Sequence, residues 1–131
     1  MSVIPSMAAG LAQLQALATF LDSGSSNATF SFYEGTKPAN VSLPANLSAK
    51  LVTLNLPKPC FKSLNADNIE LNPTDAATVT KTGTATWARL YNGNGDGVAD
   101  FAVGTDITLA NPNLVLGSTL MINSIVLRPT T

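Results

Sequence analysis

At 131 residues, with 45% apolar and only 11% charged side chains, the chain is long enough for one self-supporting core but carries less than half the charge density usual in soluble domains, about 25%. Seven basic residues against eight acidic ones leave a net charge of −1, and no basic residue precedes Lys37. That balance excludes phosphate-backbone recognition through a clustered basic face, and with it a nucleic-acid partner.

An exterior of Ser, Thr, Asn and Ala gives little repulsion between copies, which suits a subunit packed against others and also a neutral secreted β-domain. No run reaches the ~18 consecutive apolar residues of a membrane helix. The segment Val3 to Leu21 lacks the positive region that opens a secretory signal, so the expectation is a soluble product made in the cytoplasm.

Residues 1–25 are expected to form an N-terminal arm or short helix, and residues 26–131 a single β-domain. From Ala8 to Leu21 the apolar positions Leu11, Leu14, Leu17 and Leu21 fall on one helical face, and Gly24 is placed to end the run. Met1 to Met7 shows no period and reads as an extended arm, with Val3, Ile4 and Met7 as candidate partner contacts.

Ala28 to Tyr33 sets Phe30 and Phe32 against Thr29, Ser31 and Tyr33, a strand with one apolar face. Pro38 to Pro44 reads as a loop. Lys50 to Leu56 returns to strand, with Val52, Leu54 and Leu56 on one side, and the turn Pro57-Lys58-Pro59 then leads into Cys60. Asn68 to Leu71 and Ala76 to Lys81 are further strands. Gly83 to Val103 is a hairpin: Ala85, Trp87, Arg89 and Tyr91 share one face of the first arm, Ala99, Phe101 and Val103 alternate along the second, and Asn92-Gly93-Asn94-Gly95-Asp96-Gly97 reverses the chain. Asp106 to Ala110, Leu114 to Leu116 and Leu120 to Leu127 complete about eight strands. Turn residues separate them and no βαβ alternation occurs, which predicts an all-β, mainly antiparallel sandwich. Phe30, Phe32, Trp87 and Phe101 are the candidate core aromatics.

Chemistry-bearing motifs are few. Asn92 to Gly97 resembles the start of a calcium loop, but Val103 stands where the bidentate glutamate belongs and strands flank it where helices should, so no metal is expected. The eight carboxylates select no catalytic pair, and without histidine neither a serine triad nor a Cys-His nucleophile can form. Nucleotide-binding glycine patterns are absent, so no cofactor is expected. Cys60, the single cysteine, cannot make an internal disulfide and reads as a buried thiol. Trp87 could stack on a sugar, but its alternation with Ala85 favours the core. Arg89 on that face must reach the sheet margin or pair with an acid such as Asp100 across the hairpin. The sequons at Asn27, Asn40 and Asn46 carry no weight without a secretory route.

Taken in order, the segments ATFSFYEGTKPAN, LVTLNL, TGTATWARLYNGNGDGVADFAVG and DITLANPNLVLGSTLMINSIVL resemble a group of small tailed-bacteriophage and prophage virion proteins. The likeness rests on the turn Tyr33 to Ala39, the strand Gly83-Thr84-Ala85-Thr86-Trp87, a second arm with Gly97, Val98 and Asp100, and the final Gly117-Ser118 with Leu120 and Ile122. It implies a jelly-roll-like β-sandwich and a non-enzymatic component of the virion, assembled after synthesis in the host cytoplasm. Capsid decoration or cementing is the favoured role, with the major capsid protein and copies of itself as partners in a homo-oligomer on the particle. The alternative it leaves open is a tail or receptor-binding module contacting host-surface glycan. A small hydrolase is the weakest reading.

Overall fold

The computed structural model describes residues 3–129 as an antiparallel β-protein with one helix. Helix α1 runs Met7–Leu21, rich in the Ala, Leu and Gln that lose least on helix formation. Ser6 caps it, its side chain accepting from the Ala9 N–H at 3.2 Å. Met7, expected in the arm, is therefore the first helical residue. Its inner face carries Gly10, Ala18 and Leu21 into the interior, with Leu11, Leu14 and Leu17 packed beside them. The helix therefore belongs to the same core as the strands, and the expected division near residue 25 does not divide that core.

The strands follow in chain order as β1 (Thr29–Tyr33), β2 (Lys50–Asn55), β3 (Phe61–Leu64), β4 (Ile69–Leu71), β5 (Ala77–Thr78), β6 (Gly83–Thr84), β7 (Trp87–Tyr91), β8 (Gly97–Ala102), β9 (Asn113–Leu114), β10 (Thr119–Leu120) and β11 (Ile125–Leu127). A 3-10 turn, Leu47–Ala49, precedes β2. The main sheet has the order β2-β1-β7-β8, a smaller one the order β11-β4-β3, and two short ladders join β5 to β10 and β6 to β9. Every strand pair is antiparallel.

In the main sheet the register sets Phe30 opposite Leu54 and Leu90, and Phe32 opposite Val52 and Ala88. Those six side chains share one face and are buried. Phe30 lies 4.8 Å from Phe32 and meets Phe101 edge-on at 5.7 Å. Ile69, Leu71, Ile125 and Leu127 of the smaller sheet join Cys60, Ala18 and Leu21 in the same cluster.

Several expectations are corrected. The expected strand Asp106 to Ala110 is a reversal: Gly104 takes φ 98°, the Asp106 side chain accepts from the Ala102 N–H at 2.8 Å, and only Ile107 bridges back to Val103. Leu120 to Leu127 splits into β10 and β11, because Thr74 takes both backbone groups of Ile122 between them. The first hairpin arm breaks at Ala85 and Thr86, with β6 leaving to pair β9. Strand β3 was not expected at all. Trp87 is buried as expected, on the face of the main sheet opposite Phe30 and Phe32.

Candidate functional site

That opposite face is polar and covered. Alternation along β1 and β7 turns Ser31, Tyr33, Trp87, Arg89 and Tyr91 away from the phenylalanines, and the segment between β1 and β2, residues 34–49, crosses over them as a strap. Tyr33 and Trp87 stack with ring centroids 4.3 Å apart and planes 15° from parallel. The Arg89 guanidinium sits 5.4 Å from the Trp87 ring centre.

Arg89 also grips Asp100 across the hairpin with two bonds, Nε to Oδ1 at 2.6 Å and Nη2 to Oδ2 at 3.0 Å. The register that pairs Arg89 with Asp100 makes this fork possible. Both side chains are almost wholly buried, 3% and 6% exposed. The remaining donors hold the strap: Nη1 donates to the Leu43 carbonyl at 2.7 Å and Nη2 reaches the Asn40 carbonyl at 3.5 Å. Hydrogen bonding to Asp100 holds the guanidinium above its ordinary basicity against the opposing effect of burial. Elsewhere on this face Tyr33 and Tyr91 share a hydroxyl–hydroxyl bond of 2.7 Å, and Ser31 meets Thr53 at 3.0 Å. Burial first, then the Tyr91 hydroxyl, pushes the Tyr33 phenol well above its usual range.

A cavity of about 300 Å³ opens at the end of the strap, lined among others by Glu34, Thr36, Pro38, Pro44, Asn46 and Trp87. Glu34 is committed to Lys81, which also donates to the Ser48 carbonyl. Trp87 is only 2% exposed and its ring is already stacked, so it offers no platform for a sugar. Its Nε1 is sealed from solvent and has no partner among the described residues.

The hairpin turn is occupied with its own bonds. Asn92 Oδ1 accepts from the Asn94 and Asp96 N–H groups, both at 3.0 Å, and Ser26 donates to the Gly93 carbonyl. Two further carboxylates are similarly engaged: Asp22 accepts from the Cys60 N–H at 3.1 Å, and Glu70 pairs with Lys62. Among the described residues no three His, Cys, Asp or Glu side chains gather as metal ligands. Cys60 is fully buried, its thiol donating to the Ala18 carbonyl at 3.4 Å, and burial with Asp22 nearby pushes it up to about 12.

Of the candidate partner contacts, Val3 is 74% exposed and Ile4 83%, while Met7 at 39% is half-drawn onto α1. Phe30 and Phe32 lie in the core, Phe101 is partly buried against it, and Trp87 lies under the strap. Sequence reasoning did not anticipate the strap or the groove between α1, β8 and β11, lined by Leu14, Leu17, Phe101, Asp106, Val126 and Arg128. The signal for the first was Arg89 on the face that it shares with Ala85 and Trp87. No helix among the described residues is long and apolar enough to cross a membrane. Set against known proteins, the chain matches no family model, and no curated protein or solved structure matches it significantly.

Proposed function

We propose that this chain is a non-enzymatic structural protein of a tailed-phage virion, made in the host cytoplasm and working as a capsid decoration or cement subunit that bridges neighbouring subunits. The resemblance in the hairpin, the Tyr33 to Ala39 turn and the closing strands supports the class of protein. Two antiparallel sheets packed on one apolar core support the jelly-roll-like sandwich that goes with it.

One observation carries the cement role. Val3 and Ile4, adjacent apolar residues, stand 74% and 83% exposed immediately ahead of a helix fixed in the core. Exposed apolar groups on a rigid base are contact residues waiting for a surface. Polar chemistry, by contrast, is largely spent internally: Arg89 and Asp100 hold the strap, and Glu34 in the cavity beside it is paired with Lys81.

The test is direct binding. Purified protein is titrated onto assembled capsids that lack it, and screened in parallel on a glycan array. Saturable capsid binding with a raised disassembly temperature is the expected result. Glycan binding with no capsid binding would replace the cement role by a receptor-binding one.

A further inference from the structure

We propose that the arm preceding α1 seats in the groove between α1, β8 and β11 of a second copy, so that two copies exchange arms about a twofold axis. This names a partner for the arm, and it concerns the purified chain alone.

The groove is open and only partly apolar, with Asp100, Asp106 and Arg128 lining it beside its apolar residues. Leu14 and Leu17 of α1 form one wall, Phe101 of β8 and Val126 of β11 the floor and the other, around a space of about 480 Å³. Val126 is 38% exposed. β8 is the outer strand of the main sheet, and its edge is unequally protected. At one end Ala102 bonds to Asp106 and Ile107 of the following reversal. Two residues earlier, alternation aims the N–H and C=O of Asp100 away from β7, and neither has a partner among the described residues. The opposite edge, β2, is covered, with Thr80 and Asp75 donating to the Leu51 and Asn55 carbonyls. An extended, apolar segment is therefore what this groove accepts, and Asp100 can hold its backbone.

Arm and groove lie side by side. Gly10 packs so tightly on Pro129 that a Cβ would stand 2.5 Å from the proline Cβ, with Pro5 Cγ at 3.6 Å. Pro129 directly follows Arg128, which lines the groove. The arm does not fill its own groove, since Val3 and Ile4 are exposed. Proximity of two complementary apolar surfaces on one molecule lets a single twofold axis satisfy both at once, each contact being made twice.

The area is modest. Four apolar side chains from two arms, each burying roughly 60–120 Å² with a matching area of groove, bury roughly 500–1,000 Å² before backbone is added. That straddles the lower bound for a specific interface, so the dimer should be weak and depend on concentration. With one formal net charge per copy, little repulsion opposes it.

Sedimentation of the full chain from 5 to 500 µM tests this, beside Ile4→Asp and Val126→Asp; because Val126 stands opposite Glu70 in the β11–β4 pair, circular dichroism checks that this variant is folded, and Val126→Asn replaces it if it is not. Wild type should dimerise and each variant weaken association by roughly 10²-fold or more, because the change enters both seats. Mixing the two variants restores one intact seat, a wild-type arm in a wild-type groove, so the mixture should dimerise more strongly than either alone. A monomeric wild type, an unaffected variant, or a mixture no better than its components would overturn the proposal. A dimer that ignores capsids would leave it standing and refute the cement role, and a monomer that binds them would do the reverse.

Discussion

Replacing Arg89 by methionine removes one partner of an ion pair whose members are 3% and 6% exposed. Asp100 would keep its charge with no counter-ion, and the Leu43 carbonyl would lose its 2.7 Å donor. Breaking a buried pair from one side costs about 3–5 kcal/mol, against a total stability of about 5–15 kcal/mol for a domain of this size. At this chain length that loss lowers Tm by roughly 10–20 °C. Calorimetry gives the magnitude, and Trp87, the only tryptophan, gives the location: its emission should shift to the red at temperatures below the main transition as the strap lifts. Arg89→Met with Asp100→Leu removes both charges, so it should recover most of the loss attributable to the stranded carboxylate but not that of the strap carbonyls. A Tm drop under about 3 °C with unchanged emission would show that Arg89 neither bears an uncompensated charge nor holds the strap.

Other outcomes follow from separate parts of the molecule. The Cys60 thiol, pushed up to about 12, stays protonated when folded but ionises near its ordinary value, about 8.5, when unfolded. Its contribution is thus complete below about pH 8.5 and is lost as pH rises toward 12, so urea midpoints should fall more steeply between pH 8.5 and 10 in wild type than in Cys60→Ala, and parallel curves would refute this. Gly93→Ala puts a Cβ 2.1 Å from the Ser26 carbonyl oxygen and should cost about 1–3 kcal/mol or more. Gly95→Ala meets open space but sits at φ 85°, so only the left-handed conformation is penalised, about 1 kcal/mol by denaturation. Phe32→Ala should cost about 3–5 kcal/mol, whereas Tyr33→Phe, one residue on, loses only the bond to Tyr91, about 1 kcal/mol.

The contrast between Phe32 and Tyr33 explains which parts of the fold could be read from the residues. Alternation in β1, β2 and β8 identified which side chains share a face, and the antiparallel, turn-punctuated character followed from it. Pairing of Arg89 with Asp100 was one of two options, decided by the hairpin register. What alternation cannot reveal is which face meets the core when both are buried. Alternation with Ala85 placed Trp87 in the interior, and it is buried, but with Tyr33 and Arg89 beneath a strap whose own residues, Asn40 and Leu43, contribute backbone carbonyls that carry no sequence signal. Strand β3 escaped for a related reason: its Lys62 and Ser63 look like the continuation of the Pro57 to Pro59 turn, and its short pairing with β4 is bulged, which breaks the alternation. The groove was invisible because it joins residues from opposite ends of the chain, Leu14 and Val126, that the packing of α1 on the smaller sheet and the close contact of Gly10 with Pro129 bring together.

The distribution of charge bears on how the copies should meet. Three ion pairs engage six of the chain's seven basic and eight acidic side chains, and one of those pairs is buried. Asp22 and Asp106 are further committed to backbone N–H groups, and Lys58 to the Gly24 carbonyl. The four basic and five acidic side chains outside these pairs sum to one negative charge, so little net attraction or repulsion acts between copies, while Val3, Ile4 and Val126 stay exposed. Association between copies should therefore be carried by apolar contact, and screening should hardly touch it: between 50 and 500 mM NaCl the dimer constant should stay within about threefold, drifting toward tighter binding if it moves at all. An interface resting on ion pairs would weaken over the same range, because exposed charges lose most of their mutual energy once the Debye length falls below their separation. A tenfold loss of dimer at high salt would thus assign the contact to charged residues and away from the arm and its groove.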